Sequence, residues 1–153
     1  MTKNIIIYCD GACLGNPGPG GYAALLIHKG KTVSEKVVAG SEKFTTNNKM
    51  ELMAAISGLE ALKKPCSVEI YCDSQYVIKG ITEWLENWQA RGFKTSNGKA
   101  VANEELWRRL SAAVQVHRVS WHWVRGHAGN ELNERVDEIA KEQAALAAHG
   151  SHR

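Results

Sequence analysis

Runs of apolar residues near the N-terminus predict a three-stranded antiparallel meander. The first run, residues 5–8, holds three isoleucines and a tyrosine and is typical of a buried strand. Prolines and glycines crowd residues 15–21, which predicts a turn. Two further strands are expected over 22–28 and 32–38. Because short connections join antiparallel neighbours, the three strands should form a meander.

Beyond the meander, the spacing of apolar residues changes to that of a helix. Leu52 and Ile56 belong to one apolar stripe, and the predicted helix opens at residues 45–48 and ends near Leu62. This helix is long enough to cross the sheet. The strand that begins at Val68 is therefore expected to lie parallel to the first, in a right-handed βαβ unit.

The second half of the chain combines helix signals with one more strand. A short helix over 74–79 is expected to break at Gly80, and another should run from 81 to about 90. The remaining predicted segments are an irregular polar stretch over 91–99, a helix capped by Asn103, a fifth strand over 119–124, a loop over 125–130 and a last helix over 132–148. The sequence thus predicts one α/β domain over 1–148, with 149–153 as a disordered tail.

Composition and charge narrow the class of protein. A chain of 153 residues with 44% hydrophobic and 23% charged residues is typical of one globular domain. It has no run of about 18 apolar residues and no signal-peptide pattern, so a cytoplasmic protein without a membrane segment is expected. Its four cysteines lack C-x-x-C spacing and are predicted to be reduced thiols and not zinc ligands. The net charge of +3 is compatible with a polyanionic partner.

Four carboxylates stand out against this pattern. Asp10 and Asp73 each follow a Tyr-Cys pair. In neighbouring parallel strands they would lie side by side at the carboxyl edge of the sheet, where α/β proteins place their sites. Glu51 lies on the flank of the apolar stripe of the first long helix, and Asp137 follows the inward-facing Val136 in the last one. Taken singly, each acid could instead cap a turn, charge a helix start or be exposed.

Four converging carboxylates predict a metal centre, because without a cation they would repel one another. Oxygen ligands with no thiolate or imidazole suit Mg²⁺, with Mn²⁺ as a possible substitute. Two such ions roughly 3.5–4 Å apart stabilise the in-line displacement at a phosphate. The acids therefore favour phosphodiester hydrolysis.

Several motifs in order resemble ribonuclease H of the type I bacterial form. They are YCDG (8–11), GNPG (15–18), TTNNKMEL (45–52), DSQYV (73–77), WVRGHAG (123–129) and NERVD (133–137). The resemblance implies a five-stranded mixed sheet with helices on both faces and endonucleolytic hydrolysis of the RNA strand of RNA–DNA hybrids, leaving 5′-phosphate and 3′-hydroxyl ends. It also implies that Asp10 bridges two ions, with Glu51 and Asp73 on one side and Asp137 on the other. His127 would lie on a loop and move a proton or help product leave.

The same resemblance assigns contacts to the hybrid. The RNA ribose edge would be read by side-chain amides and by the backbone around Cys13, the amides being those of Asn16, Asn47, Asn48 and Gln75. Thr46 and Asn103 would hold a phosphate of the DNA strand. By residue type, each of these is also a plausible turn or helix-cap residue.

Residues 81–103 correspond to the basic protrusion of bacterial members, in which Trp84 is a further substrate-binding candidate. The charged residues of this segment give a net of only +1, from Arg91, Lys94 and Lys99 against Glu83 and Glu86. Trp84 and Trp88 stand at i and i+4, which favours packing against each other over a platform for bases. A weak electrostatic hold on the hybrid is therefore predicted.

Two other functions remain open from the sequence. The acids would also fit a DNA nuclease or resolvase-type core on the same fold, and the substrate contacts would also fit a hybrid-binding module without catalysis. The ribose contacts and the protrusion argue against the first function, and the four carboxylates argue against the second. A monomer is expected.

Overall fold

The computed structural model describes residues 3–30, 32–95, 97–124 and 131–150. The strands are β1 (Lys3–Cys13), β2 (Gly18–Lys29), β3 (Val33–Thr45), β4 (Cys66–Cys72) and β5 (Arg118–Trp123). The helices are α1 (Asn47–Glu60), α2 (Gln75–Lys79), α3 (Leu85–Ala90), α4 (Glu104–Val116) and α5 (Glu131–Gly150), with a π-helical turn at Gly80–Trp84. Within these ranges, no helix is long and apolar enough to cross a membrane.

The strands form one mixed sheet in the order β3-β2-β1-β4-β5. β1 and β2, and β2 and β3, pair antiparallel, whereas β4 is parallel to both β1 and β5. The repeated Tyr-Cys pairs lie in register, with Tyr8 opposite Tyr71 and Cys9 opposite Cys72. The predicted five-stranded mixed sheet is confirmed.

Asp10 lies at the end of the β1 ladder on only one of its two sides. Parallel pairing with β4 does stop at Cys9, but antiparallel pairing with β2 continues through Asp10 opposite Ala23. The turn predicted over 15–21 is too long, since β2 already begins at Gly18. Pro19 lies within β2 and has no N–H to donate. Its carbonyl still accepts the Leu14 N–H at 2.7 Å, which keeps this part of β2 hydrogen-bonded to the end of β1.

Helices cover both faces of the sheet, as predicted. α1 packs on β1 and β2 from one side and contacts α4, while α5 packs on β1, β2 and β3 from the other side. The two layers of fully buried side chains include Ile7, Leu52, Ile56 and Ile70 on the α1 side, and Leu25, Val136 and Ala140 on the α5 side. The sheet is thus held between two apolar layers. Their packing fixes the carboxyl edge of the parallel strands relative to α1 and α5.

Gly80 does not break the helix, contrary to the sequence prediction. Its φ of −59° and ψ of −48° are helical, and α2 continues through the π-helical turn into α3. The glycine is explained by a later part of the chain, because a Cβ at Gly80 would overlap the indole ring of Trp107. Trp107 is itself fully buried, so the close approach of its ring selects glycine at this position.

Two helix ends differ from the sequence prediction. Asn103 precedes α4 with φ 61° and ψ 30°, but its side chain makes no capping hydrogen bond. That side chain donates to the hydroxyl of Tyr76 instead. α5 extends to Gly150, two residues beyond the predicted end at 148. Residues 151–153 lie outside the described part of the chain.

Candidate active site

Three carboxylates meet at the carboxyl edge of the parallel strands. Asp10 lies one residue beyond the last β1–β4 pair, and Asp73 directly follows β4. Glu51 reaches the same point from α1. One oxygen from each of these three side chains lies within 4.8 Å of the others. The register of the parallel strands therefore brings Asp10 and Asp73 together as the echoed motif predicts.

Gly11 links two of these acids. Its backbone N–H lies 2.9 Å from Asp10 Oδ1 and also donates to Glu51 Oε1. A Cβ at Gly11 would lie 2.5 Å from the backbone nitrogen of Glu51 and from the carbonyl carbon of Met50. The absence of a side chain at Gly11 thus lets α1 approach β1 closely enough to bring Glu51 beside Asp10.

Asp137 faces the same cavity from α5. This cavity has a volume of about 550 Å³, and it is lined by Asp10, Gly11, Asn47, Asn48, Glu51, Asp73, Ser74, Gln75, Tyr76, Trp123 and Asp137. Asp137 is not one of the three acids whose oxygens lie within 4.8 Å of one another, but after burial and Asp73 it also helps to raise the pKa of Asp10. Its Oδ2 lies 2.9 Å from Lys141 Nζ. All four predicted acids therefore border one opening, with three grouped together and Asp137 nearby.

Burial and mutual repulsion change the protonation of these acids. Burial is the larger cause, and the charge of Asp73 the next, in raising the pKa of Asp10 from 3.8 to about 8. Burial, followed by the charges of Asp10 and Asp73, raises the pKa of Glu51 well above its ordinary value. Without a cation, this cluster resists becoming fully ionised at neutral pH.

The metal-free protein should lose stability as the pH rises from about 4 to about 8. The unfolded chain releases the Asp10 proton near pH 4, whereas the folded chain keeps it until about pH 8. Between these values the unfolded state binds fewer protons, so a rising pH favours unfolding. Asp10→Asn removes this contribution and should raise the free energy of unfolding at pH 7 by about 1–3 kcal/mol. Urea unfolding of both proteins in chelator across this pH range measures the difference, and parallel curves would contradict the prediction.

The donor set fits a hard divalent cation. Asp10 Oδ2 is buried, and no donor within the described part of the chain reaches it. A buried carboxylate in that state is costly unless it takes up a proton or a cation binds there. Carboxylate oxygens from three directions, open to a solvent-connected cavity, are ligands that Mg²⁺ and Mn²⁺ accept together with water and phosphate oxygens.

Most of the predicted substrate contacts border this cavity or lie beside it. Asn47, Asn48 and Gln75 line it and are exposed. Asn16 Oδ1 accepts the backbone N–H of Asn47 at 3.0 Å, which ties the β1–β2 turn to the start of α1. The Cys13 thiol points at backbone carbonyls of Gly18 and Thr45, at 3.5 and 3.4 Å. Asn16 and Cys13 are thus held close to the start of α1, next to Asn47 and Asn48.

Trp84 and Asn103 do not line the cavity of the acids. Trp84 packs against Tyr76 and Trp88, with ring centroids 6.3 and 5.7 Å away. Packing against Trp88 is the role that the i and i+4 spacing favours for Trp84, in preference to a platform for bases. Asn103 lines a second cavity of about 620 Å³, between the end of β3, α1 and α4. His127 falls within 125–130, outside the described residues, so its role stays a prediction.

Thr46 serves as the N-cap of α1, since its side chain accepts the Lys49 N–H at 3.3 Å. Thr46→Ala should therefore lower the free energy of unfolding by about 1 kcal/mol. If Thr46 also binds a DNA phosphate, this variant should in addition bind hybrid more weakly at temperatures where it is fully folded. Thr46→Ser keeps the hydroxyl and is the control for both effects. If the Thr46→Ala protein binds hybrid with normal affinity, the Thr46 side chain acts only as the N-cap of α1.

Three cavity residues were missed in the sequence. Ser74, Tyr76 and Trp123 line the cavity of the acids, and Trp123 is 44% exposed. The Trp123 indole N–H donates to the Asp73 carbonyl at 3.3 Å. The sequence does place Trp123 two residues after the inward-facing Trp121. Because alternate residues of a strand share one face of the sheet, this spacing could have predicted which face Trp123 occupies.

Known proteins are similar to this chain along nearly its whole length. The RNase H family model matches residues 2–145. Ribonuclease H of Phenylobacterium zucineum (strain HLK1) is 57% identical over 148 residues, which cover 97% of this chain and 95% of that protein. Ribonuclease HI of Caulobacter vibrioides (strain ATCC 19089 / CIP 103742 / CB 15) is 56% identical over 142 residues, or 93% of each chain.

The fold is shared with solved structures as well. The crystal structure of LC9-RNase H1, a type 1 RNase H with the type 2 active-site motif, superposes with a TM-score of 0.87 at 35% identity, over 95% of this chain and 74% of that one. LC11-RNase H1 in complex with RNA/DNA hybrid has the same fold, with a TM-score of 0.71 at 23% identity over 94% of this chain and 98% of that one. Sequence, sheet order and the matched family model agree, and the chain belongs to the ribonuclease H family.

Proposed function

We propose that this protein is an endonuclease that hydrolyses the RNA strand of RNA–DNA hybrids by two-metal-ion catalysis, leaving 5′-phosphate and 3′-hydroxyl ends. The observation that carries this proposal is the close group of Asp10, Glu51 and Asp73 beside a cavity lined by Asn and Gln side chains. Membership of the ribonuclease H family and the relatives of that name support the same activity.

Asp10, Glu51, Asp73 and Asp137 are the residues that would hold the ions, which we propose are Mg²⁺, with Mn²⁺ as a substitute. When bound, the ions polarise the scissile phosphate and supply the nucleophile from water. Asp10 has one oxygen held by the Gly11 N–H and the other without a donor among the described residues, so this second oxygen would be available to a cation. Glu51, held by the same N–H, fixes one side of the site. His127 is proposed to move a proton or help product leave.

The polar wall of the cavity suits recognition of a ribose strand. Asn47, Asn48 and Gln75 place amide donors and acceptors beside the acids, where 2′-hydroxyls of an RNA strand can hydrogen-bond. Asn16 and the backbone around Cys13 would extend this contact along the strand. Thr46 and Asn103 would hold a phosphate of the DNA strand, and Trp84 would lie near the protrusion. A protein of the same fold occurs in complex with RNA/DNA hybrid.

We also propose a monomeric enzyme with one catalytic domain over 1–148 that works in the cytoplasm. Its four cysteines are free thiols, which suits a reducing compartment. No helix among the described residues could span a membrane.

Cleavage of a labelled RNA–DNA hybrid in Mg²⁺, in Mn²⁺ and in chelator tests the proposal. We expect metal-dependent cuts in the RNA strand only, with 3′-hydroxyl ends that a polymerase can extend. Duplex DNA of the same sequence is the control. Cleavage of duplex DNA at a similar rate would indicate a DNA nuclease, and metal-independent binding without turnover would indicate a hybrid-binding module.

Affinity for the hybrid should depend only weakly on salt. Residues 81–103 carry three cations against two acids, and Arg91, Lys94 and Lys99 are the exposed cations there. Each neutralised phosphate contributes a slope of about 0.9, so three contacts give a slope of about 3 in a plot of log affinity against log salt. Fluorescence anisotropy with Ca²⁺ in place of Mg²⁺ would measure the slope. A value of about 6 or more would show that cations elsewhere on the protein bind the backbone.

A further inference from the structure

A hydrogen-bonded side chain joins the acid cavity to Asn103. Tyr76 lies on α2 and lines the cavity of the carboxylates. Its hydroxyl oxygen accepts a hydrogen bond from Asn103 Nδ2 at 3.0 Å and another from Trp107 Nε1 at 3.0 Å. A single phenol therefore spans the distance between the acids and the residue before α4.

The phenol is held rigidly on its other side. The Trp107 indole is fully buried, and its ring fills the space that Gly80 leaves open. The centroids of the Tyr76 and Trp107 rings are 5.4 Å apart, and Trp84 packs edge-on against Tyr76 at 6.3 Å. Because the indole is fully buried and closely packed against its neighbours, its N–H limits where the phenol oxygen can lie. That oxygen in turn limits where the Asn103 amide can lie.

Asn103 also has an uncommon backbone conformation. Its φ of 61° and ψ of 30° are left-handed, a region that Asn tolerates better than most residues. This backbone alone could explain an asparagine here. It does not explain why the amide is tied to Tyr76 and leaves α4 without a side-chain cap. An amide held in one place loses less conformational entropy when it binds a ligand.

Asn103 lines a cavity that also contains cationic side chains. Lys49 and Asn103 both line this cavity and offer N–H donors, the groups that contact nucleic-acid backbones. Glutamates also line it, and one of them, Glu104, is paired with Arg108 at 2.7 Å. A phosphate in this cavity would therefore be held by the N–H donors that line it, those of Asn103, Lys49 and Arg109.

We propose that Tyr76 is a positioning residue for the DNA strand. Its hydroxyl holds the Asn103 amide where the amide meets a DNA phosphate, and its ring sets the spacing between that phosphate and the carboxylates. The proposal rests on the proposed function, since it requires a DNA strand bound beside an RNA strand. It assigns Tyr76 no contact with the reacting atoms.

Tyr76→Phe tests the role of the hydroxyl because it removes one oxygen and keeps the ring. We expect Kd and KM for the hybrid to rise about three- to ten-fold, as for one lost hydrogen bond, with kcat within about twofold of the original. Asn103→Gly is the matched variant, since glycine keeps the left-handed backbone and removes the amide. It should weaken binding at least as much, and urea unfolding of both variants checks that they fold.

The double variant Tyr76→Phe with Asn103→Gly separates positioning from direct contact. If Tyr76 acts through the amide, the double variant should bind hybrid no more weakly than Asn103→Gly alone. If the increase in Kd of the double variant equals the product of the increases in the two single variants, the proposal is overturned. Unchanged binding by Tyr76→Phe would overturn it as well.

A second measurement uses hybrids in which one DNA phosphate at a time is a neutral methylphosphonate. The unsubstituted protein should lose affinity at one position in particular, and Tyr76→Phe should be less sensitive there. An unchanged sensitivity profile in Tyr76→Phe would also overturn the proposal. Failure of the proposed function would appear separately, as no cleavage of hybrid by the unsubstituted protein.

Discussion

Asp10→Asn should reduce hybrid cleavage by about 10⁴-fold or more. Asparagine has nearly the same shape as aspartate but lacks the charge, and only one of its two terminal atoms is an oxygen. Asp10 is buried and central, with Gly11 N–H on one oxygen and both Glu51 and Asp73 within 4.8 Å. Loss of this carboxylate therefore removes the ligand that the proposed pair of ions would share. Single-turnover cleavage in Mg²⁺ measures the loss.

Two controls make the Asp10 result specific. Glu69→Gln removes an exposed carboxylate from β4, one that pairs with His122 at 3.2 Å, and it should leave cleavage unchanged. His127→Ala should lower the rate by a few orders of magnitude at most, since general acid–base catalysis typically contributes about 10²–10⁴-fold. Equal losses from Asp10→Asn and His127→Ala would contradict this division of roles.

Metal binding gives a readout of Asp10 that does not depend on turnover. Mg²⁺ binds the folded protein and should raise its thermal midpoint, because a ligand of the folded state stabilises that state. This shift should be lost in Asp10→Asn and kept in Glu69→Gln. A full Mg²⁺-dependent shift in Asp10→Asn would show that the ions bind without this carboxylate.

The parts of the site that lie on neighbouring strands could be predicted from the sequence. The repeated Tyr-Cys-Asp pattern places Asp10 and Asp73 together once β1 and β4 pair in register, as they do. The position of Glu51 on the flank of its apolar stripe indicated a side chain leaning toward the sheet, and Glu51 is 8% exposed. Periodicity carries this information because both strand and helix repeat regularly.

Features that depend on contacts between distant segments could not be predicted in this way. Gly80 looked like a helix breaker because local propensity contains no information about the Trp107 ring that packs on it. Asn103 looked like a cap, but its amide binds the Tyr76 hydroxyl, which competes with the helix end for the same side chain. Residues 18–21 looked like a turn, although Gly20 and Gly21 pair with β1 and Gly18 pairs with Thr45 of β3, which keeps them in a strand. In each case a tertiary contact outweighed the local preference.

Gly11→Ala should cost both stability and activity. The added methyl group would lie 2.5 Å from backbone atoms of Met50 and Glu51, which cannot rotate away as a side chain end could. α1 must therefore move from β1, and we expect the free energy of unfolding to fall by about 2–4 kcal/mol. The same movement carries Glu51 away from Asp10. A displacement of about 1 Å at a catalytic group can cost about 10²-fold, so cleavage should fall by at least that factor in protein that is still folded.

Comparison with Gly58→Ala separates the two effects of Gly11→Ala. Gly58 lies on α1 itself, seven residues after Glu51, where a Cβ would approach side-chain atoms of Ala24 and Ile7 at 3.1 Å. Ala24 and Ile7 are fully buried and have little room to shift, whereas alanine favours the helix by about 1 kcal/mol, so Gly58→Ala should change stability much less than Gly11→Ala does. Cleavage per folded molecule should stay nearly unchanged. Urea unfolding gives the stability of each variant, and cleavage is measured well below the unfolding midpoint. If Gly11→Ala loses stability but keeps its cleavage rate, the close approach of α1 to β1 is needed for folding alone and does not position Glu51.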